Sequence, residues 1–169
     1  MSLGIGIMLQ ERLYSRLKSA RSFTERLLQD FSDSDSWVHQ IASDANHALW
    51  FVGHMGVTDN FMISVLNPDL DCLPDGYAEL FGIGSQPIDD IASYPDVQQV
   101  CEFMRSRREV LLGILNNLSD EELAAATPEG APEFMADFAA VFEMAIWHEG
   151  MHCGQLTTTR RSLGFAPLK

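Results

Sequence analysis

At 169 residues, 46% of them hydrophobic, the chain has the length and apolar content of one packed domain, 1–169. Its formal net charge of -13, with no run of five Lys or Arg, makes nucleic acid and anionic lipid surfaces poor partners. No apolar run reaches the ~20 residues of a membrane span, the opening MSLGIGIML lacks the basic start of a secretory leader, and Cys72, Cys101 and Cys153 form no CxxC pair. The expectation is a reduced, cytoplasmic protein.

In chain order, Leu13, Leu17, Ala20, Leu27 and Phe31 recur at amphipathic spacing and predict a first helix over 8–31. Ser32, Asp33, Ser34, Asp35 and Ser36 then supply turn residues and read as a loop, with Trp37 and His39 in or near it. A second helix is expected from Ser43 or Asp44, either of which can cap it, to Leu66, where Asn67 and Pro68 end it. At 100° per residue, His47, Trp50, Phe51, Thr58 and Phe61 all lie within roughly 60° of His54, which therefore sits in the middle of an apolar face.

Residues 67–94 are rich in Pro, Gly and Asp and too long for a tight connection, so they read as a lid over a site, with Tyr77 and Phe81 shaping its pocket. Such a length lets the next helix lie parallel to the second. That third helix starts at Pro95, and its stripe is Val97, Cys101, Met104, Leu111, Leu115 and Leu118. Arg108 falls within the stripe, where it either meets a buried carboxylate or an anionic substrate or, as the favoured reading, snorkels at the edge. Ser119 to Glu122 make a capping-box start for a short turn, and a last helix is expected over 132–163, stopped by Gly164. Four long amphipathic helices with a long connection between the second and third define an all-α four-helix bundle.

The last helix carries His148-Glu149-Gly150-Met151-His152. As HExxH this reads as two zinc ligands and a glutamate base, yet the seventeen residues after His152 contain no His, Asp or Glu to complete the site. His148 and His152 share one helix face with Val141, Met144, Ala145 and Gln155, and that face is the core side. Three buried imidazoles need three separate partners unless one metal satisfies them together, which favours His54, His148 and His152 as ligands of a divalent ion. His47 competes with His54 for the third place. Glu149 points roughly 80° off the ligand direction, so it is a catalytic base only if the bundle opens there, and otherwise a flank or supporting carboxylate. Gln155 either orients a ligand or bonds across helices, while Cys153 points away from the ligand face. Trp50, Phe51, Thr58, Arg108 and His47 join Gln155 as substrate-pocket candidates.

The segment Ala48-Leu49-Trp50-Phe51-Val52-Gly53-His54-Met55, the LFGIG run before Tyr94-Pro95 and the final WHEGMHCGQLTTTRRSLG resemble the DinB-like four-helix bundles, a group that includes bacillithiol transferases and mycothiol-dependent isomerases. The resemblance covers most of the chain, and its specificity lies in one His on helix two followed by HxxxH on helix four. It implies a metal triad at His54, His148 and His152, with zinc or nickel as the ion and open positions for water or thiol. On this basis the expected function is a metal-dependent thiol S-transferase or small-molecule hydrolase, with a low-molecular-weight thiol as a candidate substrate. The alternative is a non-catalytic metal-binding or ligand-sensing bundle that acts through a protein partner. Apolar helix faces also admit a homodimer.

Overall fold

The computed structural model describes residues 8–168. The reading of the N-terminal nine residues as leaderless lies almost wholly outside the described residues. In chain order the helices are α1 Leu9–Leu28, α2 Ser34–Trp37, α3 Ala48–Leu66, α4 Tyr77–Phe81, α5 Val97–Asn116, α6 Asp120–Leu123 and α7 Phe138–Ser162, of which α1, α3, α5 and α7 are long. Pro68–Leu70, Ile91–Ser93 and Glu133–Met135 form 3-10 turns. No strand occurs among the described residues, and none of their helices is long and apolar enough to cross a membrane.

Side-chain contacts set the direction of each long helix. Arg21 meets Glu149 and Asp30 meets Arg160, so α1 and α7 run the same way. Gly56 faces Phe103 and Met104 while Asp59 meets Arg108, so α3 and α5 are parallel, as the long connection between them predicts. Asn46 reaches Gln155 and His54 reaches His148, which makes α3 antiparallel to α7. The order is up, down, down, up. Close packing of α3 depends on two glycines, since a Cβ at Gly53 would fall inside the Phe81 ring and one at Gly56 would come within 2.5 Å of Phe103.

Helix ends show where local chemistry overruled periodicity. The second helix begins at Ala48, four residues later than Asp44, because the His47 ring, not Ser43 or Asp44, accepts the Trp50 N–H at 3.1 Å and caps it. Asp44 instead turns the chain in the left-handed region at φ 63°. The stretch read as loop holds α2, nucleated by a capping box between Asp33 and Ser36. Asp96 caps α5 and Asp137 caps α7, each accepting backbone N–H bonds, so both helices start later than Pro95 and Pro132. The first turn of α1 has no cap of its own, and Asp120 of α6 accepts from Leu9 and Gln10 N–H across more than a hundred residues.

The core has two apolar layers. One gathers Leu27, Phe31, Leu49, Phe51, Met55, Phe81, Val100, Met104 and Leu156, and the other Leu13, Leu17, Ile63, Leu111, Leu115, Val141 and Phe142. Burying each such side chain contributes about 1.5–3 kcal/mol, so these layers dominate stability. Every long helix changes from apolar to polar inward residues between them: Arg21 and Thr24 on α1, Thr58 and Asp59 on α3, Arg107 and Arg108 on α5, and His148 and Glu149 on α7.

Candidate metal centre

α3 presents His54 and α7 presents His148 and His152, one turn apart, so that three ring nitrogens lie within 4.8 Å of one another. His54 and His152 are 4% and 5% exposed, and His148 is half-buried. The Nε2 atoms of His54 and His148 stand 3.2 Å apart. Two imidazoles on one tetrahedral zinc, each about 2.0–2.1 Å from the ion, would hold their nitrogens roughly 3.3 Å apart.

Supporting bonds decide which nitrogen of each ring is free. His54 Nδ1 lies 2.7 Å from the Phe81 carbonyl, which only accepts, so Nδ1 carries the proton and Nε2 offers a lone pair. Phe81 is held there by its contact with Gly53, and Trp50 stacks on a face of the His54 ring at 4.5 Å and 15°. The Trp50 indole N–H in turn donates to Ser85, so the 67–94 connection grips both the ring and its neighbour. His152 Nδ1 is 2.8 Å from Gln155 Oε1, an oxygen that also accepts from Asn46 Nδ2 at 3.1 Å. That assignment again leaves Nε2 bare. Carboxylate-free partners of this kind fix ring orientation in metal sites.

Burial pushes the His54 imidazolium down to about 4, with repulsion from His152 adding to it, and burial followed by repulsion from His152 and His54 takes His148 to about 3. Burial likewise lowers His152. All three are therefore neutral near pH 7, the state a metal requires. The donor set is nitrogen only, suited to zinc, nickel or another borderline ion.

His47 does not join this group. Its Nδ1 caps α3, its Nε2 faces the Ile88 carbonyl at 3.0 Å and the Tyr94 hydroxyl at 3.2 Å, and the ring is 1% exposed. Phe51 is packed 6.3 Å from the His152 ring, and Trp50 is 5% exposed against His54. The Thr58 hydroxyl donates back to the His54 carbonyl at 2.8 Å and is not free to donate to a ligand.

Arg108 does not snorkel. It is 1% exposed and forks onto Asp59, with Nε to Oδ2 and Nη2 to Oδ1 both at 2.9 Å, while its Nη1 stands 2.8 Å from Glu149 Oε2 as an ion contact. Burial opposes the charge on Asp59, yet Arg108 and Arg21 overcome it and hold the carboxyl below its usual range. The Arg108 guanidinium is driven the other way, up, because Asp59 and Glu149 outweigh its burial. Glu149 is fully buried: Arg21 Nε donates to Oε1 at 2.8 Å and Thr24 Oγ1 donates to the same oxygen at 2.6 Å. Arg21 closes the group by donating to Asp59 at 3.0 Å and to the Met104 carbonyl at 2.9 Å. Two arginines and two carboxylates from four helices thus form a neutral quartet in the polar layer.

Arg21, Thr24 and Asp59 are further members of this polar layer that hydrophobic spacing alone does not single out. The signal was available, since Leu17, Arg21, Thr24 and Leu28 continue one helical stripe and so do Met55, Asp59 and Met62. Charges standing at core spacing on two helices, with Arg108 on a third, call for one another.

A family model of the DinB superfamily matches residues 16–156. The chain belongs to the DinB superfamily. No curated protein matches it.

Proposed function

We propose that His54, His148 and His152 bind one divalent metal ion, zinc or nickel, through their inner nitrogens, and that the protein is a cytoplasmic metal-dependent enzyme acting on a small molecule by thiol S-transfer or hydrolysis. The observation that carries this reading is the convergence of three neutral imidazoles whose outer nitrogens, on His54 and His152, are already committed to Phe81 and Gln155. A metal held by three protein nitrogens keeps a position open and lowers the pKa of a water or thiol that takes it, which supplies a nucleophile at neutral pH. The residues around it do the rest: Phe81 and Trp50 hold the His54 ring, Gln155 and Asn46 hold His152, and the 67–94 connection screens that side from water.

Glu149 serves in this proposal as a structural tie between helices and not as the base of an HExxH hydrolase. Its full burial, the two hydrogen bonds that Oε1 accepts from Arg21 and Thr24 and the ion contact of Oε2 with Arg108 support that reading. The deciding experiment is metal analysis of protein purified without an affinity tag, expected to give about one ion per chain in the wild type and none in His148→Ala. Substoichiometric metal that His148→Ala leaves unchanged would reject the centre. Turnover of a thiol or ester substrate panel that survives in folded Glu149→Gln would separate the tie from the base.

A further inference from the structure

Eleven Lys and Arg residues face twenty-four Asp and Glu in this chain, so an arginine without an acidic partner is out of place. Arg21, Arg105, Arg108 and Arg160 are ion-paired, Arg107 and Arg161 donate to backbone carbonyls, and Lys18 lies over Tyr14. Arg12 and Arg16 alone among the arginines make no side-chain bond among the described residues, and residues 1–7 contain no acidic side chain to offer them. They are like charges one turn apart, and Arg12 stands at the end of the first turn of α1, where the helix dipole disfavours a cation. Two cations of like sign with no bonded partner among the described residues mark a place open to an anion.

Both arginines line a groove of about 400 Å³ between α1 and α7. Its apolar wall is Leu13, Ile146 and the indole of Trp147, which is 60% exposed. Glu143 stands in the same groove. We propose that this groove is a second ligand site, separate from the histidine centre, that takes a small monoanionic carboxylate with a flat apolar body. The guanidinium forks match a carboxylate, and the indole gives a ring a face to stack on. The volume suits a small ligand and not a folded partner. Glu143 discriminates against a doubly charged phosphate, which it would repel more strongly than a carboxylate.

The test uses the full chain and the probe 3-phenylpropanoate against its neutral amide, followed by the three indole N–H signals of Trp37, Trp50 and Trp147 in nitrogen-correlated NMR. The carboxylate should shift the Trp147 signal saturably and leave Trp37 and Trp50 in place. The amide should bind about tenfold more weakly, and R12Q/R16Q should lose the same factor for the carboxylate only. Both positions are exposed, and unmoved Trp37 and Trp50 signals report that the variant is folded. Equal binding of acid and amide, undiminished binding to R12Q/R16Q, or no saturable shift at millimolar probe would overturn the proposal. So would an acidic peptide lacking an aromatic group that moves Trp147 as strongly as the probe, since that would assign the groove to a protein partner. None of these readouts depends on metal at His54, His148 and His152.

Discussion

The bundle buries two polar centres side by side, and they are built on opposite terms. The Arg21/Asp59/Arg108/Glu149 quartet brings equal numbers of cations and anions, and its groups answer one another across four helices. The histidine trio brings three neutral rings of one kind, whose inner nitrogens have only each other. A complete centre asks for nothing from solution, whereas an incomplete one asks for a cation. The two centres touch through adjacent residues of α7, with His148 turned toward α3 and Glu149 turned toward α1. Rotation of α7, which aims two of the three imidazoles, is thereby locked by the quartet.

The contrast can be broken first on the quartet side. Asp59→Ala leaves two buried guanidiniums sharing one carboxylate, and is expected to cost about 3–5 kcal/mol, a large part of a typical total stability. Urea unfolding that shifts by less than half of that would show the quartet to be replaceable. On the trio side the sign reverses, because loss of one ring should hardly destabilise the metal-free protein. Zinc or nickel at about 100 times its dissociation constant should raise wild-type stability by ~2.7 kcal/mol and do nothing for His148→Ala, as read by thermal shift.

Acid separates the centres further. A histidine whose folded pKa is depressed leaves stability intact above its unfolded value of 6.5 and removes it as pH falls toward the folded value, about 4 for His54. For His54 alone this amounts to about 2 kcal/mol between pH 7 and 5 in metal-free protein. Asp59, whose pKa is lowered from 3.8, acts only in more acidic solution, where protonation removes the quartet's contribution. Unfolding measured from pH 7 to 5 in wild type and His54→Ala should therefore differ in slope, and parallel curves would refute the assignment. The smallest effect is expected at Gln155, whose Oε1 meets the outer nitrogen of His152 and Asn46 Nδ2 but no inner nitrogen of the trio. Gln155→Ala should weaken metal binding by about tenfold, or 1.4 kcal/mol, with the fold unaffected, and unchanged affinity in a competition titration would remove it from the centre.

How legible these centres were differs for a physical reason. His54, His148 and His152 could be picked from helical arithmetic because each sits in the interior of a regular helix, where position along the chain dictates direction. His47 could not be told from His54 that way. It precedes the first turn of α3, where its ring caps the helix, and helical angles do not apply there. Arg108 was placed in the core stripe, but its partner stood on another helix, so snorkelling looked cheaper than pairing. Glu149 stayed open between base and supporting carboxylate on sequence alone, because the groups that tie it, Arg21 and Thr24, lie 128 and 125 residues away in the chain.

What the amino-acid order determined by itself is the set of four amphipathic helices, the long crossover that makes α3 and α5 parallel, and the histidine order that marks a DinB superfamily member. Those features are local, written in spacing and end signals within one segment at a time. Tertiary structure alone decided which buried charge answers which, that Phe81 and Gln155 set the two ring tautomers, that Asp120 caps α1, and that Arg12 and Arg16 stand beside an open groove. Each of these is a contact between residues distant in the chain, and no periodicity within one helix specifies what a neighbouring helix will bring to it.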